Sequence, residues 1–292
     1  MRRGKITNHT DRHHNHSHAG EHHHAHLKCG ETVLTVRAHS GLSGDMLVAG
    51  LLRIAKLSED EIDRLLGAIL PELTGTLRLT KRKVNQVTGW TATVALPEEH
   101  QHRTLRDICT VVSQSGLTDQ AKQLAIDAFT LLARAEAAVH DMSPEEVHFH
   151  EVGALDSILD ICLAAELFTR LAPGRFVVSP LPLADGFVTC AHGVLPVPAP
   201  AVLELLDGIS VCRFPGDGET ITPTAIALLR AFGAVFGGWP DMCVARQALV
   251  YGSHDFPNAP NGAIFAFGAA QGSVRMAEGN AMLHVHEKAC HP

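Results

Sequence analysis

Positions 147–161 read Val-His-Phe-His-Glu-Val-Gly-Ala-Leu-Asp-Ser-Ile-Leu-Asp-Ile, and any fold of this chain must place their two histidines, three carboxylates and single glycine together. Residues 147–152 alternate as a short strand does. Side chains two apart then share a face, which puts His148 and His150 together and sends Phe149 the other way. Gly153 supplies a bend. Beyond it, Leu155, Ile158, Leu159 and Cys162 recur at helical spacing, so a helix is expected from about Ala154. Asp156 and Asp160 are four apart and lie on one face of that helix. Imidazoles suit nickel, zinc, copper and iron, and carboxylates suit harder ions, so the stretch is a candidate metal site. A plainer reading stands beside it. Asp156 would then complement the helix dipole, and the histidines would be satisfied at a sheet edge.

The rest of the chain is rich in the same chemistry. It has 20 histidines, and nine of them fall between His9 and His26. Residues 1–30 are poor in apolar side chains, so a disordered His-rich tail is expected, suited to capturing nickel, zinc or copper without fixed geometry. The irregular spacing fits an expression tag less well, since tags run uninterrupted. Residues 31–270 are expected to form the core, and 271–292 a flexible tail. In that tail His284, His286, Cys290 and His291 are either a second metal cluster or a frayed end. A formal charge of −7 argues against nucleic acid as a partner. Seven cysteines without a C-x-x-C pair fit reduced thiols and a cytoplasmic location. No apolar run follows Met1-Arg2-Arg3, and none approaches eighteen residues, so neither a signal peptide nor a membrane span is expected.

Periodicity predicts an α+β fold, a mixed core with a helical central segment. Strands are expected at 32–36, within 76–96, from 177, at 242–250 and at 263–267. Helices are expected at 45–56, 59–69, 104–113, 118–140, 154–171, 199–206 and 225–236. Two of the helix starts that carry hydroxyls are candidate sites. Ser43 precedes the first, with Gly44 and Asp45 in the turn. Thr222-Pro223-Thr224 precedes the last, with Pro223 suited to the first helical position. Helix starts with free N–H groups attract anions, so both are candidate phosphate seats; simple capping accounts for them equally well. His192, two residues after Cys190, is a further candidate metal ligand or a structural residue. The order Gly-Leu-Ser-Gly-Asp at 41–45 is not a nucleophile elbow, which sets aside a serine hydrolase.

Five pieces in order, Gly41 to Met46, Leu105 to Ile108, His148 to Ser157, Ala191 to Pro200 and Thr222 to Thr224, resemble the LarC family of nickel insertion proteins from about Val33 to Ala269. The resemblance implies insertion of nickel into a pyridinium bisthiocarboxylate mononucleotide, driven by CTP with Mg(2+) or Mn(2+). Together with the residue reading it makes His148, His150, Glu151 and His192 the expected metal ligands. Asp156 and Asp160 become the expected catalytic carboxylates. Ser43, Gly44, Asp45, Thr222 and Thr224 become the expected phosphate holders. The chain departs from the family at Arg37-Ala38, where the family has Asp-Pro, and at Ala225, where it has Gly. Full-length members carry a C-terminal region for the CTP chemistry, so a separate C-terminal partner chain is expected to supply it. A homo-oligomer is expected as well. Two alternatives remain open: a non-catalytic nickel or zinc chaperone or storage protein, and a metal-dependent hydrolase.

Overall fold

The computed structural model describes residues 30–96, 103–149, 153–190, 193–254, 256 and 259–271. The expected tails lie outside the described residues, apart from Gly30 and Gln271 at their inner ends.

Strand β1 (Thr32–Ala38) runs through a short loop into helix α1 (Gly44–Ala55). Helix α2 (Glu59–Ile69) starts on a capping box, in which Ser58 and Glu61 satisfy each other's backbone N–H groups. The hairpin of β2 (Leu77–Val84) and β3 (Val87–Val94) turns at Asn85 and Gln86, both at positive φ, as a two-residue hairpin loop requires. After β4 (Arg103–Thr104) a second capping box, Thr104 with Asp107, opens α3 (Leu105–Gln114). Thr118 caps the long α4 (Asp119–His140). Next come β5 (His148–Phe149) and α5 (Leu155–Leu171). Then follow β6 (Arg175–Val178), β7 (Leu181–Asp185), β8 (Phe187–Cys190), β9 (Gly193–Pro196) and the short α6 (Pro200–Leu205). β10 (Val211–Asp217), α7 (Pro223–Ala231), β11 (Val235–Phe236), β12 (Met242–Tyr251) and β13 (Gly262–Ala270) complete the order.

The main sheet has seven strands in the order β11-β6-β1-β13-β12-β3-β2. It is mixed: β1 is parallel to β6 and antiparallel to β13. The last strand in sequence therefore lies in the middle of the sheet, between β1 and β12. Helices α1, α4, α5 and α7 bury their apolar faces in one aliphatic core that also takes in Leu34, Val36 and Phe265 from the sheet. Gly50 lets α1 lie close on β13, because a Cβ there would fall 2.4 Å from the Phe265 ring. Glycine inside a helix costs about 1 kcal/mol against alanine, and this close approach accounts for its presence.

Most expected elements are found, and the structure makes the class a mixture of helix and sheet, as α+β requires. One expectation is corrected. The helix expected over 225–236 starts earlier, at Pro223, and stops at Ala231; Gly233, at φ 67, turns the chain, and Phe236 joins β11. The strand expected over 147–152 is found at His148–Phe149, where it pairs with β4, and residues 150–152 lie outside the described residues. Among the described residues no helix is long and apolar enough to cross a membrane.

Candidate functional site

The two loops that precede α1 and α7 are joined across 179 residues of chain by a parallel bridge between Leu42 and Ile221. Leu42 donates its N–H to the Thr220 carbonyl at 2.9 Å, and Thr222 donates to the Leu42 carbonyl at 3.2 Å. Gly41 is needed at this junction, since a Cβ there would stand 2.6 Å from both the Thr220 carbonyl and the Asn261 side chain. The bridge sets the starts of α1 and α7 side by side. The start of α5 lies against them: a Cβ on Gly44 would meet Asp160 Oδ2 at 2.7 Å and Thr224 Cγ2 at 3.1 Å.

These three helix starts form the floor of a cleft of about 1000 Å³. One wall is the end of α4, with Glu136, Val139 and His140. Another part of the lining is the β8–β9 hairpin, with Phe187, Val188, Thr189 and Leu195. Ser253, His254 and Asn261 line it as well. Ser43, Gly44, Asp45, Asp156, Asp160, Thr222 and Thr224 all line this cleft. The sequence named them from three separate stretches, and the fold brings them together.

The two hydroxyl-led starts differ in detail. Thr222 caps α7 through its side chain, accepting from the Ala225 N–H at 3.3 Å. Ser43 sits at the N-cap position of α1 but makes no such bond, contrary to the expected cap. Its hydroxyl donates instead to the Asp45 carboxylate. That carboxylate also accepts from the backbone at Met46 and at Asp45 itself. The start of α1 is thus satisfied by its own acid.

The carboxylates crowd one another. Burial raises Asp45 above the ordinary carboxylate range, and its hydrogen bonds only partly offset this. Asp160 is raised further, first by burial and then by the neighbouring charges of Asp45 and Asp156. Its Oδ1 is closed off from solvent and has no hydrogen-bond partner among the described residues. Asp160 as a whole is half-buried beside the buried Ile158 and Leu159, and it borders the cleft. Asp156 is exposed as expected and accepts from the Ser157 N–H at 2.7 Å.

The expected metal ligands are less fully placed. His148 is exposed on β5 and is not among the residues lining the cleft, whereas its neighbour Phe149 is buried and borders it. His150, Glu151 and His192 lie outside the described residues. Among the described residues no three His, Cys, Asp or Glu side chains come together to hold a metal ion. The sequence reading missed Glu136, His140, Phe187, His254 and Asn261. Only the Glu136–His140 pair, 3.5 Å apart one turn along α4, carried a local signal in its spacing.

A mixed α/β core whose helix starts converge on an acidic cleft is the class this geometry defines. The profile of the nickel insertion protein family matches residues 34–283, and the chain belongs to that family. A relative from Geotalea uraniireducens (strain Rf4), with "nickel insertion protein" in its name, is 40% identical over 76% of this chain and 57% of its own length. One from Dictyoglomus thermophilum, named in the same words, is 36% identical over 74% of this chain and 56% of its own. A third, from Nocardioides sp. (strain ATCC BAA-499 / JS614), is named pyridinium-3,5-bisthiocarboxylic acid mononucleotide nickel insertion protein. It is 38% identical over 79% of this chain and 58% of its own length. The chain thus matches less than two thirds of the length of each of these relatives. No solved structure matches it.

Proposed function

We propose that this chain delivers nickel to a pyridinium bisthiocarboxylate mononucleotide, with Ni(2+) and the mononucleotide as the two substrates of the cleft. The observation that carries the reading is the single cleft in which a hydroxyl-capped helix start and three carboxylates face the same space. An anionic phosphate and a divalent cation need opposite surroundings, and the cleft offers both.

In this reading Thr222 and Thr224, with the Gly44 backbone beside them, hold the phosphate. Pro223 has no N–H, so Thr224 supplies the nearest donors at the start of α7. Asp45, Asp156 and Asp160 draw the cation to the other side. Asp160 meets the chemistry of a transient seat: an unpartnered buried carboxyl favours an incoming cation but pays for its charge while empty. His148, His150, Glu151 and His192 are the proposed path by which nickel arrives. The two soft sulfurs of the thiocarboxylates then outcompete oxygen ligands for nickel. CTP, with Mg(2+) or Mn(2+), is assigned to a site outside this cleft, because one hydroxyl-capped start suits one phosphate and not a triphosphate as well. The proposed setting is the cytoplasm.

A second reading has its own support. Nine histidines between His9 and His26, with no three-ligand cluster among the described residues, suit a nickel or zinc chaperone that only buffers metal. Transfer kinetics separate the two. The nickel-loaded full chain is mixed with the bisthiocarboxylate mononucleotide or with a simple dithiol, and nickel–sulfur absorbance is followed. Faster transfer to the mononucleotide supports insertion, and equal rates leave only buffering.

A further inference from the structure

The β8–β9 hairpin pairs with no other strand among the described residues. It carries Phe187, 72% exposed, in the lining of the cleft. Val188 and Leu195 pair behind it on the other face of the hairpin, both partly buried and both bordering the cleft. A phenylalanine left in water forgoes the gain of burying its ring. Here the ring is held at the edge of a concave site whose floor is acidic.

We infer that Phe187 is the platform on which the pyridinium ring of the mononucleotide rests. The inference builds on the function proposed above and names the residue that recognises the ring. The chemistry is specific to a cationic aromatic. A ring face carries partial negative charge and attracts a cation, and a flat ring stacks on it with an offset. The carboxylates of Asp45, Asp156 and Asp160 add to the preference for positive charge. The phosphate cannot use Phe187 and is seated instead at the start of α7. The three parts of the substrate thus meet three different walls: ring on the hairpin, phosphate on α7, and the metal-binding sulfurs toward the acids.

The test uses the full chain and two stable probes. Nicotinic acid mononucleotide carries a pyridinium ring and a phosphate, and ribose 5-phosphate carries the phosphate without the ring. Calorimetry on wild type should show tighter binding of the first. Phe187→Ala should weaken that binding by about threefold to thirtyfold, the range of a cation–π contact, and leave ribose 5-phosphate unchanged. Phe187→Trp should keep the affinity and add a fluorescence signal that the pyridinium probe quenches. Equal effects on both probes, or no effect on either, would overturn the role of Phe187 while leaving the nucleotide reading intact. So would a change from dimer to monomer in Phe187→Ala with unchanged affinity, which would make this face a contact between copies. A wild type that does not prefer the pyridinium probe would remove the nucleotide reading itself, and the platform with it.

Discussion

The starts of α1 and α7 are built by the same device and end with opposite chemistry. Each follows a loop held by the Leu42–Ile221 bridge, each has a hydroxyl at the N-cap position, and each opens on the same cleft. At α7 the hydroxyl of Thr222 satisfies the backbone, and no acid stands in the first turn. At α1 the Asp45 carboxylate takes the backbone N–H groups, and the Ser43 hydroxyl serves that carboxylate. A helix dipole alone would make both ends attract anions. One aspartate turns the α1 end into a place for a cation, so the side chain and not the backbone decides what each helix start holds.

The largest expected effect tests the cation side. Asp160→Asn removes the carboxyl that closes this end of the cleft but keeps its shape. Nickel transfer to the mononucleotide should fall by about tenfold to a hundredfold, the scale of one lost charged contact. Stability should move the other way. The folded protein holds Asp160 above the ordinary value of 3.8, so the wild type loses stability as pH rises from about 4 through the raised value. A neutral amide in the same place has no such loss. Denaturant melts of wild type and Asp160→Asn across pH 3 to 8 should therefore diverge upward, with the variant the more stable at neutral pH. Parallel curves would mean that its surroundings do not disfavour the charge of Asp160, and the cation side would lose its main support.

The second test breaks the contact between the two sides. Gly44→Ala would place a methyl 2.7 Å from Asp160 Oδ2 and 3.1 Å from Thr224 Cγ2. Overpacking of this kind costs about 1–3 kcal/mol, less if Asp160 can swing away. Phosphate affinity and nickel transfer should fall together, because both helix starts shift. Calorimetry with ribose 5-phosphate beside the transfer assay checks this. Loss of one without the other would show that the two sides are independent.

Much of this was legible residue by residue. Ser58 with Glu61, and Pro223 after Thr222, mark helix starts through bonds made within four positions, and the sequence shows them directly. The bridge between Leu42 and Ile221 has no local signal. Nor has the pairing of Thr32 with Ala269, which joins β1 to β13 across most of the chain. Asp160 illustrates the same limit. Its four-residue spacing from Asp156 is right for one helical face, but only the fold shows that one oxygen of the deeper of the two is closed off from solvent. Ser43 misled for a subtler reason: an N-cap hydroxyl two residues before an aspartate has a nearer partner than the backbone.

The smallest effect is the sharpest test of the comparison, because it pits one hydroxyl against the other. Thr222→Ala removes a side-chain cap and should cost about 1 kcal/mol of stability. Ser43→Ala removes no cap and should cost less than about 0.5 kcal/mol near pH 4, as for a typical surface change. The two should differ in pH dependence as well. Without the Ser43 hydroxyl, Asp45 loses a bond that favours its charged form, and its already raised value moves further up. A raised carboxylate loses stability as pH rises, so the cost of Ser43→Ala should grow from pH 4 to pH 8. Thr222 touches no carboxylate in its capping bond, and the cost of Thr222→Ala should stay level over the same range. Chemical denaturation of both variants at the two pH values decides it. If Ser43→Ala proves as costly as Thr222→Ala and equally flat with pH, Ser43 is an ordinary cap, the two helix starts are alike, and the division of the cleft into a cation side and an anion side loses its basis.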